Sequence, residues 1–109
     1  MQFLVTGYDG TDEKALERRM AAREAHLALG DKMMQEGKML YAAAILDDNN
    51  KMIGSVIICD FETREELDEW LDIEPYVKGN VWKKIEVKHC KVGPSFTDLR
   101  PHAFSSTKH

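Results

Sequence analysis

The chain has 109 residues and a mass of 12.5 kDa, and 43% of its residues are hydrophobic, 31% charged and 8% aromatic. Scaling for this mass gives roughly 6,000 Å² of folded surface against about 18,000 Å² unfolded, which suits one core and excludes a disordered or collagen-like chain. Lys and Arg number 15 against 19 Asp and Glu, so the net charge is −4 and works against a nucleic-acid partner, whose phosphates need cations.

From Gln2 to Tyr8 the chain reads as a strand, stopped by Gly7, Asp9 and Gly10. Thr11 is the expected N-cap of a long helix, with Asp12 and Glu13 suited to its dipole and an Ala/Leu/Met/Glu/Arg-rich stretch running to Gly37 without proline. Met39 to Leu46 and Met52 to Phe61 are apolar, and Asp47-Asp48-Asn49-Asn50 between them is a dense turn signal, so the pair reads as a β-hairpin. Thr63-Arg64-Glu65-Glu66 is a capping box that opens a short helix through Leu67, Trp70 and Leu71, ended by Glu74-Pro75. Val81 to Val92 is the last strand, stopped by Gly93-Pro94.

The order β-α-β-β-α-β predicts an α+β, ferredoxin-like fold: a four-stranded antiparallel sheet with two helices on one face. The other face is open. With Phe3, Val5, Leu40, Ile45, Val56, Ile58 and Val87 on the strands, that face is expected to be apolar and covered in a homodimer. The domain is expected over 1–94. Residues 95–109 lack periodicity and read as a C-terminal tail, mobile or draped on the partner. Cys59 and Cys90 form neither a disulfide framework nor a zinc set and are read as reduced thiols. Apolar runs fall short of the 18 to 20 or so residues of a membrane span, and Met1 to Val5 lacks a basic signal-peptide start, so no membrane partner and a cytoplasmic location are expected. His89, His102 and His109 lack metal-ligand spacing, and no phosphate-binding, nucleophile-elbow or zinc-peptidase motif occurs, so neither a metal nor another cofactor is implied.

The first helix carries an anomaly. On a wheel of about 100° per residue, Leu16, Met20, Leu27 and Met34 form one edge of the expected buried arc and Ala15, Ala22, Leu29 and Met33 the other. Arg19, Arg23, His26 and Gly30 lie between. Cations facing a core must meet acids or a ligand. In the bland reading, the arginine stems cover apolar surface with their heads in water, and His26 is a satisfied, partly buried histidine. In the functional reading, Arg19 and Arg23 bind a small anion and His26 is an acid/base oriented by Asp9 or Glu74. Ser55, with Ala42 to Ala44 and Gly54, would leave room beside the stripe, and Tyr76 would cap the core or point its hydroxyl into the cavity. The same pocket also suits a ligand-binding or accessory protein without turnover.

The run Leu16-Glu17-Arg18-Arg19-Met20-Ala21-Ala22-Arg23-Glu24-Ala25-His26-Leu27, then Gly54-Ser55, Phe61, Trp70, Glu74-Pro75-Tyr76-Val77, Gly79 and Val81, resembles the YCII-related (YciI-like) proteins over roughly residues 1 to 92. The resemblance implies a dimeric α/β barrel, in which two ferredoxin-like sheets pack face to face, and a pocket with a family histidine and an acid. The histidine corresponds to His26. The family's usual Asp-Pro-Tyr stands here as Glu74-Pro75-Tyr76, with the acid on a longer arm, and Ala42 to Ala44 replace a frequent Gly-Pro turn. Members similar to muconolactone dehalogenases and isomerases imply proton or halide elimination on small cyclic anions, a lyase, isomerase or dehalogenase type of chemistry on a small anionic or lactone substrate.

Overall fold

A computed structural model of the chain describes residues 1–96. The elements are β1 (Gln2–Asp9), α1 (Ala15–Gln35), β2 (Met39–Leu46), β3 (Met52–Asp60), α2 (Arg64–Ile73), α3 (Pro75–Lys78), β4 (Trp82–Cys90) and a single 3-10 turn at Pro94–Phe96. The strands form one antiparallel sheet in the order β2-β3-β1-β4. This is the ferredoxin-like arrangement. The expected tail beyond residue 96, with His102 and His109, lies outside the described residues.

Local chemistry explains most boundaries. In the hairpin turn, Asp47 Oδ1 accepts from the amides of Asn49 (2.8 Å) and Lys51 (3.0 Å), and Asn50 takes the left-handed φ of 63°. Thr63 Oγ1 accepts from the Glu66 amide at 3.2 Å and caps α2. Gly37, at φ 77°, closes α1: the Lys38 amide reaches back to the Met33 carbonyl and the Gly37 amide to Met34. The start of α1 departs from expectation. Its N-cap is Lys14, without a side-chain cap, because residues 12–15 form a turn in which the Ala15 amide donates to the Asp12 carbonyl at 3.1 Å. The Asp12 carboxylate accepts from the Lys14 amide (3.2 Å) and both Arg18 Nη atoms (2.8 and 2.7 Å), and Arg18 Nε donates to the Asn80 carbonyl (3.1 Å).

The register divides the sheet's side chains. Phe3, Val5 and Gly7 stand opposite Cys59, Ile57 and Ser55, and these six positions are buried on the helix side. There they join Met33, Phe61, Leu67, Trp70, Tyr76, Val81 and Trp82 in the core. Phe3 and Val5, with Val87 packed against that core, therefore do not belong to the open face. Alternation gives the open face Leu4, Val56, Ile58 and Tyr41, the last 57% exposed. A shallow cavity of about 570 Å³ runs across it, lined by Leu4, Tyr41, Ile58, Cys90, Val92 and Phe96. Cys59 and Cys90 are free thiols, and burial pushes Cys59 up to about 12. No helix among the described residues is long and apolar enough to cross a membrane.

Candidate active site

Arg19 and His26 of α1 meet the sheet and α3 at one end of the core, and Arg23 stands between them on the helix. Arg19 is the best buried, at 3% exposure. Its Nη1 donates to both Asp9 oxygens, at 3.0 and 3.1 Å, and its Nη2 to Ser55 Oγ at 2.9 Å. Asp9 leaves the end of β1, and its side chain is also 3% exposed, so the charges neutralise each other inside the fold. The acid available at the end of β1 thus goes to Arg19, and no contact joins Asp9 to His26 among the described residues.

His26 meets the other acid. Its Nδ1 lies 2.5 Å from Glu74 Oε1, and Glu74 is 1% exposed. The same oxygen accepts from the Tyr76 amide at 3.0 Å and N-caps α3, whose first residue is Pro75. A carboxylate oxygen accepts only, so Nδ1 is the donor and a neutral imidazole carries its lone pair on Nε2. Nε2 has no protein partner among the described residues.

The Tyr76 ring fixes both α1 groups. Arg19 and His26 stand two helical turns apart, about 10.5 Å along the axis. Tyr76 fills the interval: the imidazole stacks on its ring at 3.8 Å and 12°, and the guanidinium carbon lies 4.6 Å from its centre. Trp82 closes the side, edge-on to Tyr76 at 5.6 Å and to His26 at 6.1 Å. Its indole lies against Gly7, where an added Cβ would sit 2.4 Å from a ring carbon. Burial pushes the Tyr76 phenol above its ordinary range, against the opposing pull of Arg19 and Arg23, so it keeps its proton at neutral pH.

Arg23 differs from its neighbour on the wheel. It is exposed and has no ion-pair partner among the described residues. With Arg19, His26, Ser55 and Tyr76 it lines a cavity of about 150 Å³, walled by Leu27, Ile57, Met52 and Ala42 to Ala44. The bury of α1 is therefore rotated relative to the wheel, since Ala15, Arg19 and Met33 are buried whereas Met20, Leu27 and Met34 are exposed. Beside that side of the helix runs β2, an edge strand whose three alanines are exposed. No group of three His, Cys, Asp or Glu close enough to hold a metal ion occurs among the described residues.

The fold defined above is shared with solved structures. A 5-chloro-2-hydroxyhydroquinone dehydrochlorinase from Burkholderia phenoliruptrix, in complex with 2,5-dihydroxybenzoquinone, superposes with a TM-score of 0.74 at 24% identity, over 87% of this chain and 98% of that one. A dimeric ferredoxin-like protein from an uncultured marine organism gives 0.52 at 15% identity, over 84% and 94%. In sequence, the YCII-related domain matches residues 1–91, and the chain belongs to that family. Protein YciI of Escherichia coli O6:H1 is 33% identical over 97 residues, 84% of this chain and 97% of its own length. A protein of Haemophilus influenzae is 34% identical over 82 residues, 70% of this chain and 84% of its own.

Proposed function

We propose that the chain is a cofactor-free acid/base enzyme acting on a small anionic or lactone substrate, with His26 Nε2 as the proton acceptor. The observation that carries this is the hold on His26: Glu74 takes Nδ1–H and Tyr76 stacks on the ring, which leaves Nε2 free on a side chain lining a cavity. Arg23, without an ion-pair partner among the described residues, supplies the cation for the anion, and Arg19, Ser55 and Tyr76 are further polar residues of that cavity. Asp9, offered by the sequence as an orienter of His26, and Arg19, offered as an anion ligand, act in this reading as positioning residues, because they pair with each other. Elimination, as named for the dehydrochlorinase neighbour, suits the arrangement: a proton goes to Nε2 as halide leaves. The working unit in this reading is a homodimer closed through the apolar sheet face and located in the cytoplasm, and the dimeric neighbour supports its being a dimer.

The test is chloride release from 5-chloro-2-hydroxyhydroquinone, together with deuterium incorporation from D2O into small oxo acids, lactones and hydroxyquinones. Wild type should exceed His26→Gln by about 100-fold or more on at least one compound. Equal rates for the two would remove the catalytic reading. A ligand-binding role without turnover is the second reading, favoured by one observation: with Asp9 engaged, His26 is paired with no second carboxylate facing the 150 Å³ cavity.

A further inference from the structure

His26 lines two cavities. Beyond the one shared with Arg23 lies another of about 180 Å³, between α1 and β2, bounded by Leu27, Gly30 and Met34 on the helix and Met39, Leu40 and Ala42 on the strand. We infer that this second space is a compartment of the same site and receives the hydrocarbon arm of the anion whose head meets Arg23. The inference rests on the acid/base reading above and names the class of its ligand: a small monoanion with an apolar chain or ring, its functional end at His26.

Three observations point this way. The walls between α1 and β2 are mostly aliphatic, with Tyr41 at one side, and Leu27 and Met34 remain 47% and 38% exposed, so apolar surface is left uncovered among the described residues. Charge is divided across His26. The second cavity has the carboxylates of Asp31 and Glu74 at its margin, which repel an anionic head, whereas the first has the Arg23 guanidinium. Gly30 is the third. A glycine inside a helix costs stability relative to alanine, and here no described residue lies within 4 Å of where its Cβ would be. Packing among the described residues does not require it, and a side chain there would project into the space at the cavity wall.

The test uses straight-chain carboxylates from acetate through butyrate and hexanoate to octanoate, titrated while the His26 ring resonances are followed by NMR. In wild type the affinity should rise about fourfold per methylene while the arm fills the compartment. Gly30→Leu, a better helix former that should melt no lower than wild type, should bring octanoate down to the affinity of acetate. Arg23→Gln should weaken every member by a similar factor. An affinity independent of chain length, with His26 still shifted by acetate, overturns the second compartment and leaves the anion pocket intact. A gain that survives Gly30→Leu also overturns it, because the hydrocarbon then lies elsewhere, as on the open sheet face. Failure of every acid, acetate included, to shift His26 removes the anion pocket and the compartment with it.

Discussion

Arg19 and Asp9 form a closed pair inside the protein: two bonds from one guanidinium nitrogen, both side chains 3% exposed, with Ser55 taking the second nitrogen. Such a pair is intolerant of losing one member. Arg19→Met leaves Asp9 buried without a counter-charge and should cost about 3–5 kcal/mol in urea denaturation. Arg19→Met combined with Asp9→Leu should recover most of that loss. If the double variant is as unstable as the sum of the singles, the two residues do not act as one unit.

Gly7 supports the site from behind. Trp82 lies where a Gly7 side chain would be, and the clash at 2.4 Å involves ring atoms held by Tyr76 and His26. Gly7→Ala should therefore cost about 1–3 kcal/mol by overpacking and shift the Trp82 fluorescence, and the His26 ring resonances should move with it. A variant with wild-type stability and unchanged spectra would show that Trp82 can move aside freely.

The turn before α1 carries a pH signature. The Arg18 guanidinium beside Asp12 holds its carboxyl well below the usual carboxylate range. A folded value below the unfolded one, which is about 3.9, means the contribution is present above that pH and is lost as pH falls through the folded value. Asp12→Asn should melt slightly below wild type at pH 7, and the gap should close on acidification below pH 4 or so. The gap stays small because Asp12 is half-exposed. A difference that persists unchanged at the lowest pH would assign the effect to backbone geometry.

The sheet face makes a prediction about assembly. Sedimentation at micromolar concentration should give about twice 12.5 kDa. Ile58→Asp, on the face crossed by the 570 Å³ cavity, should shift the protein toward monomer with its helices intact by circular dichroism. A wild-type monomer would refute the dimer outright.

The strands and turns were legible because their signals are local. Met39 to Leu46 appears as β2 with those bounds, and the Asp47–Asn50 turn is made by the side chain that the sequence offers for it. His26, Arg19 and Glu74 could be singled out since charge on a core-facing arc needs a partner. Which acid meets which cation could not, because it depends on where β1 ends and on α3. That single turn was hidden by reading Glu74-Pro75 only as a helix stop, although an acid followed by proline is also a helix start. The helical wheel was similarly limited. It orders residues around α1 but does not say which side the sheet covers, and Leu27 and Met34 stay exposed beside the edge strand β2.

Glu74 Oε1 accepts both from His26 and from the Tyr76 amide, so the start of α3 and the setting of the imidazole hang on one oxygen. The Tyr76 N–H is consequently a native gauge of the site. Its hydrogen exchange should be slow while Glu74 is in position, and an opening that frees the carboxylate should release the amide and the imidazole together. A shorter aspartate at residue 74 would have to draw α1 and α3 closer to serve both donors, so the longer arm fixes the spacing at which this pocket is built.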